Sequence, residues 1–243
     1  MGDKNVYYFD SYDDSKPKIL LPEADAKSFE LINYIYAKDI NNIYYRFIYC
    51  SRCLYGEHKI IKDLNVQNVR FLTDSILTDG NLVYFGATQV KVDNPKDLRK
   101  INDYYLEDGV RVYSTYNIDN EYEKELGNED PKDFNILYDG FAEGKAGIYH
   151  NGILLDVSPK TFKAVDGFVG YDNEKIIFIE EGGINCQATR PFNGVVEKIS
   201  DYYYKDASGQ IYEYSVRANE LNSTIKKYEN VDKVHDDFNC FTL

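Results

Sequence analysis

The fold can be predicted from one stretch of the sequence, residues 25–45. It reads Asp-Ala-Lys-Ser-Phe-Glu-Leu-Ile-Asn-Tyr-Ile-Tyr-Ala-Lys-Asp-Ile-Asn-Asn-Ile-Tyr-Tyr. It opens with a turn former, three mostly polar or small residues and a large apolar residue, from Asp25 to Phe29. An Asp-rich cluster at 39–42 then precedes a β-branched and aromatic pair, Ile43-Tyr44. Asp and Asn tolerate the backbone angles of tight hairpins, while β-branched and aromatic residues favour strands. The stretch therefore predicts strand, turn and strand.

The same pattern recurs along the chain with a constant internal distance. The large apolar residue precedes the β-branched residue by fourteen positions in four copies, from 29 to 43, 69 to 83, 98 to 112 and 134 to 148. In the copy that starts at Phe162 the pair is Ile177-Phe178, which predicts one extra turn residue or a bulge. Val6-Tyr7 and Ile211-Tyr212 extend the series, with a mean spacing of about 34 residues. The chain is predicted to be an array of about seven short β units.

Two stretches carry a resemblance to a known family. Asp-Lys-Asn-Val-Tyr-Tyr at 3–8 resembles the signature of the DKNYY family, and 37–45 resembles a second copy of the same element. The segment Asp25 to Phe29 is similar to the family's Asp-x-x-Thr-Phe element, and a later copy departs because Gly144 stands at the turn Asp position. The resemblance implies a repeat protein and brings no catalytic residues with it.

The predicted architecture is all-β, as a single β-repeat domain over residues 1–243. A small-bladed propeller is favoured over a hairpin solenoid. The reason is that apolar residues at 224–241 are available to complete the first unit and close a ring, which would remove exposed edges. Against a propeller, typical blades run about 40–45 residues.

The charge balance restricts the class of partner. Asp and Glu number 41 against 28 Lys and Arg, for a net charge of −13. This balance argues against nucleic acid and anionic membranes and favours a basic protein partner. No apolar run approaches the roughly 20 residues of a membrane span. The sequence as it stands predicts a cytoplasmic protein, or an exported one if a leader has been removed.

Few residues have the spacing of a metal or redox site. Cys50 and Cys53 form a Cys-x-x-Cys pair with His58 nearby, but zinc needs four ligands and no second such pair exists in the sequence. These three residues are weak metal candidates, structural or incidental thiols are favoured, and no cofactor is predicted. Turn aspartates recur at 39, 79, 108, 172 and 206. Calcium loops concentrate several acidic ligands in one loop, so these single aspartates are interpreted as turn formers.

Consecutive tyrosines provide a candidate binding surface. The chain has 24 Tyr, and neighbours in a strand face opposite ways, so one member of each pair is expected in the core and the other at the surface. The alternative is that neighbouring units cover both faces. Exposed Tyr among carboxylates favours protein binding. The candidate binding residues are Tyr8, Tyr45, Tyr105, Tyr203, Glu180 and Glu181.

The function predicted from these features is a non-catalytic acidic protein-binding module. A concrete version is an immunity-type protein that masks a basic toxin, with its charge steering association. One alternative is a cell-envelope or adhesion repeat protein. Another is a carbohydrate-active propeller enzyme, which would require two carboxylates about 5–9.5 Å apart in a pocket.

Overall fold

The computed structural model describes residues 5–8, 19–46, 58–115, 126–179, 186–214, 231–234 and 239–240. In this part of the chain the regular structure is β, apart from 3-10 turns at Val66–Asn68 and Leu126–Asn128. The prediction of an all-β fold with many short strands is confirmed.

The strands form seven sheets, numbered in chain order. Sheet 1 contains β1 (Val6–Tyr8) and β2 (Ile19–Leu21); sheet 2 contains β3 (Glu30–Leu31), β4 (Tyr36–Lys38), β5 (Ile43–Arg46) and β6 (His58–Ile61). Sheet 3 contains β7 (Arg70–Phe71), β8 (Ile76–Thr78), β9 (Val83–Phe85) and β10 (Thr88–Val90); sheet 4 contains β11 (Arg99–Lys100), β12 (Tyr105–Glu107) and β13 (Val112–Ser114). Sheet 5 contains β14 (Asn135–Tyr138), β15 (Phe141–Glu143), β16 (Ile148–His150) and β17 (Ile153–Leu154). Sheet 6 contains β18 (Lys163–Ala164), β19 (Val169–Tyr171), β20 (Ile176–Ile179), β21 (Cys186–Arg190) and, last in order, β26 (Asn239–Cys240). Sheet 7 contains β22 (Glu197–Ser200), β23 (Tyr203–Lys205), β24 (Ile211–Glu213) and β25 (Val231–Lys233).

The C-terminal strands belong to the last two sheets. β25 pairs in parallel with β24, and β26 pairs antiparallel with β21. The expectation that this segment completes sheet 1 is therefore wrong for both strands. Loop-closure entropy favours these nearer edges, because the connecting segments are far shorter than a return to the N-terminus.

The register of sheet 6 corrects one detail of the repeat. Tyr171 pairs with Ile176 across the turn, as Lys38 pairs with Ile43 in sheet 2. The predicted extra residue or bulge at this turn is therefore wrong. The backbone keeps the fourteen-residue offset from Phe162 to Ile176, and only the aromatic residue has moved one position along the strand.

Burial follows strand order within the sheets. The first strands are largely exposed, whereas the second and third strands are almost entirely buried, as in β8, β12, β16 and β20. Side chains on alternate faces of these inner strands are both covered, which explains why their sequences alternate so weakly. Their aromatic residues form the core.

The chain divides into two compact units, which are Met1–Lys100 with Glu107–Val110 and Ile118–Glu121, and Ile101–Leu106 with Arg111–Asn117 and Tyr122–Leu243. In the first unit, Tyr36 and Ile43 of sheet 2 pack with Leu77 and Tyr84 of sheet 3. In the second, one core cluster joins sheets 6 and 7 through Val169, Ile176, Phe178, Tyr204 and Tyr212.

Buried tyrosine hydroxyls connect neighbouring sheets within each unit. In the first unit the Tyr36 hydroxyl lies 2.8 Å from the carbonyl oxygen of Ser75. In the second, the Tyr105 hydroxyl donates to the carbonyl of Gly140 at 2.6 Å. Each of these carbonyls also accepts a backbone N–H, from Gly86 at 2.8 Å and from Asn151 at 3.0 Å, so the hydroxyl adds a second hydrogen bond to the same oxygen.

Replacing Tyr105 by Phe is expected to lower the free energy of unfolding by about 0.5–1.5 kcal/mol, because the hydrogen bond from its hydroxyl to the Gly140 carbonyl is lost while the Asn151 N–H still donates to that carbonyl at 3.0 Å. Urea denaturation measures this loss. The matched control is Tyr34→Phe at a side chain that is 65% exposed, where the expected change is below about 0.5 kcal/mol. Equal losses in the two variants would contradict the prediction.

Candidate functional site

The conserved spacing of the repeat is produced by a carboxylate that spans two turns. Asp39 follows β4, and its Oδ1 accepts the N–H groups of Asn41 and Asn42, both at 2.7 Å. Its Oδ2 accepts the N–H of Asp25, fourteen residues earlier, at 2.8 Å. The Tyr44 hydroxyl also donates to this oxygen, at 2.7 Å. One side chain therefore closes the hairpin and fixes the segment that enters the sheet.

Four other repeats use the same construction. Oδ2 of each turn aspartate accepts a backbone N–H from the start of its own repeat, from Asn65 to Asp79, Asn94 to Asp108, Ser158 to Asp172 and Asn193 to Asp206. The interpretation of these aspartates as turn formers is confirmed. Their carboxylate oxygens accept hydrogen bonds from backbone N–H groups, so these oxygens are poorly suited to coordinate a cation.

These hydrogen bonds outweigh burial in setting the acidity of the turn carboxyls. Desolvation on its own would raise the pKa of Asp39, but the N–H groups of Asp25, Asn41 and Asn42 and the Tyr44 hydroxyl lower the pKa below its ordinary value. The same balance holds at Asp79, Asp172 and Asp206. Burial on its own would raise the pKa of these carboxyls, but hydrogen bonds from backbone N–H groups lower it. These four turn aspartates are therefore ionised at neutral pH.

Sheet 5 lacks the turn aspartate and obtains its carboxylate from elsewhere. Gly144 occupies the turn position, and buried Glu129 accepts the N–H of Lys145 at 2.7 Å and of Ala146 at 2.9 Å. It also accepts the Tyr149 hydroxyl at 2.8 Å, as Asp39 accepts that of Tyr44. A Cβ at Gly144 would lie 2.6 Å from the Glu129 carboxyl carbon. The carboxylate has thus moved from one chain segment to another while its position in space is kept.

Many acidic side chains are buried, and this affects what the net charge indicates about a binding partner. Among the residues whose burial the structure describes, nine carboxylates are buried and no Lys or Arg is. The nine are Asp39, Asp79, Glu107, Asp108, Glu129, Asp166, Asp172, Asp206 and Glu213. On the exposed and half-buried surface of the described residues, Lys and Arg are about as numerous as Asp and Glu. The net charge of −13 is therefore weaker support for a basic partner than the sequence alone implies.

A second turn cap recurs four residues after the large apolar residue, and the sequence analysis missed it. Asn33 Oδ1 accepts the N–H groups of Ile35 and Tyr36, both at 2.8 Å. Side-chain oxygens at the equivalent positions of three other sheets do the same, from Thr73, Asn102 and Asp166. Recurrence of short polar residues at this offset is the signal that could have revealed it.

Sheet 5 departs from the pattern at this position too. Tyr138 occupies the cap position, where its ring cannot accept the two turn N–H groups. The register shifts between Ile136 and Tyr138, and Asp139 adopts a φ of 40°. Asn151 of the same sheet has a φ of 50°, and these are the two non-glycine residues with positive φ in the described chain. Local departures of this kind concentrate at functional sites.

The departure places apolar side chains at the surface. Leu137 is 40% exposed and Tyr138 is 46% exposed on β14, the outer strand of sheet 5. Asn102 of sheet 4 donates to the Asp139 carbonyl at 2.8 Å and holds this turn, and its neighbour Ile101 is 37% exposed. We define Ile101, Leu137 and Tyr138 as the outer patch.

The first strands of the other sheets from sheet 2 to sheet 7 are protected in ways that β14 is not. β3, β7, β11 and β18 have two residues each and include at least one charged side chain, and β22 includes Glu197 and Lys198. β14 has four residues, Asn-Ile-Leu-Tyr, with no charge. Short length and charge are the devices that prevent a strand edge from pairing with another chain. Among the first strands of sheets 2 to 7, β14 therefore has the least protected edge.

The structure places the predicted tyrosines mostly in the interior. Tyr105 and Tyr203 are 0% and 1% exposed, so the expectation that they lie at the surface is wrong. Tyr204 is buried as well, because both faces of β23 are covered. Tyr45 is half-buried against Tyr36. Tyr8 lies in β1, but its side chain is outside the described residues.

The remaining candidates give no assembled site. Glu180, Glu181, Cys50 and Cys53 lie outside the described residues. His58 is half-buried at the start of β6, opposite Arg46. In the described part of the chain, no cluster of three or more His, Cys, Asp or Glu is arranged to hold a metal ion.

Carboxylate-capped turns and an uncharged outer edge define the class as a β-repeat protein with a candidate interaction strand. The chain belongs to the DKNYY family, whose model matches residues 1–153 and 47–182. Neither the curated proteins nor the solved structures contain a match to this chain. Of the helices among the described residues, none is long and apolar enough to cross a membrane.

Proposed function

We propose that this chain is a non-catalytic protein-binding module and that its contact surface is the outer edge of sheet 5. The observation that supports the proposal most directly is β14, a four-residue outer strand with no charge and with exposed Leu137 and Tyr138. An extended segment of a partner can add to such an edge through backbone hydrogen bonds. Leucine and tyrosine side chains then supply apolar contact area.

The proposed partner is a protein that presents an extended, apolar strand of low charge. The outer patch offers no charged side chain, and charges of both signs are balanced on the described surface. The immunity-type version of the function, which depends on steering by net negative charge, stays a prediction. So do the basic character of the partner and the propeller arrangement of the sheets.

Loss of turn capping at Tyr138 supports a role in binding rather than in folding. A short polar residue at this position would cap the turn, as Asn33 and Asn102 do in sheets 2 and 4. An exposed aromatic residue at this position lowers stability, because the hydrogen bonds of the turn cap are lost. Its ring gains no burial in the core to offset that loss. Selection for contact with a partner accounts for that cost.

The variant Leu137→Ser/Tyr138→Asn is expected to fold and to lose partner binding. Wild-type and variant proteins would be used to capture ligands from the lysate of the source organism, with Val195→Ser as the matched control. Val195 is 60% exposed in the same compact unit but outside the outer patch. Stoichiometric capture that the double variant loses and the control keeps would support the proposal, as would slowed amide exchange at 135–138 in the complex.

Two results would contradict the proposal. The first is capture that Leu137→Ser/Tyr138→Asn retains in full, since the contact would then lie elsewhere. The second is capture that falls steeply as the salt concentration rises, because salt screens the attraction between charged surfaces but does not weaken apolar strand pairing. The second result would instead favour the charge-steered version.

A further inference from the structure

Two cysteines far apart in sequence occupy directly opposed positions in sheet 6. Cys186 is the first residue of β21 and Cys240 is the last residue of β26. The strands are antiparallel, and their register pairs Cys186 with Cys240. Opposed residues in an antiparallel pair have Cα atoms about 4.5 or 5.5 Å apart. Disulfides join residues whose Cα atoms lie about 4.4–6.8 Å apart, so either kind of pair fits.

The topology gives this position a mechanical role. β26 follows all of sheet 7 in the chain and then returns to the edge of sheet 6. It pairs with β21 at only two positions, the second being Gln187 with Asn239. Two paired positions provide little free energy to offset the conformational entropy that is lost when such a long segment of the chain is ordered. A covalent link at one of them would hold the strand in place.

We propose that Cys186 and Cys240 form a cross-strand disulfide that fastens the C-terminal strand to sheet 6 and encloses sheet 7 in a covalent loop. This link is independent of the proposed binding function, because β26 and β14 belong to different sheets. Whether the disulfide is present depends on the redox conditions of the cell compartment. The bond persists where disulfides are stable and is lost in a reducing cytosol.

The bond forms by thiol–disulfide exchange. The thiolate of one cysteine attacks the sulfur of an oxidised disulfide carrier, such as glutathione disulfide or a dithiol–disulfide oxidoreductase, and releases one carrier thiol. The second cysteine thiolate then displaces the remaining carrier sulfur from the mixed disulfide. Two protein thiols are oxidised to one disulfide, and one carrier disulfide is reduced to two thiols.

Peptide mapping tests the connectivity directly, because trypsin separates all four cysteines. Cys50 and Cys53 fall in the peptides 47–52 and 53–59, while Cys186 and Cys240 fall in 176–198 and 234–243. The protein would be equilibrated with glutathione disulfide, denatured with N-ethylmaleimide and no reductant, and digested. We expect the linked pair 176–198 and 234–243, which separates on reduction. Alkylated Cys186 and Cys240, or either joined to Cys50 or Cys53, would overturn the proposal.

Thermal unfolding provides the second measurement. Reductant is expected to lower the Tm of the oxidised wild type by roughly 5–15 °C, from the usual effect of a long disulfide loop in a chain of this size. Cys186→Ala/Cys240→Ala should lack this response, and Cys50→Ala/Cys53→Ala should retain it. If the first variant does not fold, the response of the wild type and of the second variant still decides. A response that disappears in the second variant would overturn the proposal.

Discussion

Replacing Glu129 by Ala is expected to lower the free energy of unfolding by roughly 3–5 kcal/mol. The side chain is 3% exposed and accepts hydrogen bonds from the Lys145 and Ala146 N–H groups and the Tyr149 hydroxyl. Removing the carboxylate leaves the buried Tyr149 hydroxyl and two N–H groups of the turn without their acceptor. Urea denaturation followed by circular dichroism measures the loss.

A second substitution makes this prediction sharper. Gly144→Asp introduces the carboxylate that other repeats carry at the turn, but alone it should destabilise the protein because its Cβ would crowd Glu129. In Glu129→Ala/Gly144→Asp that obstacle is absent, and the new carboxylate can accept the same donors as Asp39 does in sheet 2. We expect the double variant to recover at least about 2 kcal/mol relative to Glu129→Ala.

The control for this cycle is Glu174→Ala, at an exposed acid in the turn of sheet 6, with an expected change below about 0.5 kcal/mol. Additive losses in the double variant would show that the two positions do not share one carboxylate site. A Glu129→Ala protein as stable as the control would show that the buried carboxylate is dispensable.

Acidification from pH 6.5 towards pH 4 is expected to remove roughly 3 kcal/mol of stability through His150. The ring is 3% exposed, packs against Phe141 with centroids 4.6 Å apart, and donates from Nε2 to the Gly167 carbonyl at 2.8 Å. Burial lowers the pKa of His150 to about 4, although the Gly167 carbonyl favours the charged form. Since the unfolded chain takes up a proton near pH 6.5 and the folded chain does not, stability is present above pH 6.5 and falls below it.

Denaturation midpoints measured between pH 7 and pH 4 test this dependence. His150→Gln keeps a side-chain donor but has no titrating group, so its stability should be lower at pH 7 and much flatter with pH. Val195→Ser, at a side chain that is 60% exposed and has no titrating group, should retain the wild-type slope. A wild-type protein whose stability is unchanged between pH 6.5 and pH 4.5 would refute the assignment.

The turn aspartates act in a separate pH window. Hydrogen bonds hold the pKa of Asp39 below its ordinary value despite burial, so the stability they provide is present above about pH 4 and is lost as the pH falls further. The histidine and aspartate contributions are therefore distinguishable by the pH at which each is lost.

The sequence by itself determined the features that depend on local spacing. Asp25, Phe29 and Asp39 recur at fixed offsets, because the carboxylate of the turn must reach the N–H fourteen residues earlier in four of the repeats. Alternating strands and Asp-rich turns follow from the same short-range rules. The all-β class and the turn role of the aspartates could be predicted for that reason.

The exposure of individual side chains and the packing of distant segments against each other depend on the tertiary structure alone. Tyr203 and Tyr204 are both buried, since Tyr204 packs against Phe178 of sheet 6 while Tyr203 packs with residues of its own sheet, which a single strand cannot reveal. Glu129 replaces a turn aspartate from another segment, and β26 brings Cys240 opposite Cys186. These contacts depend on packing between elements far apart in sequence, where residue spacing carries no information about distance in space.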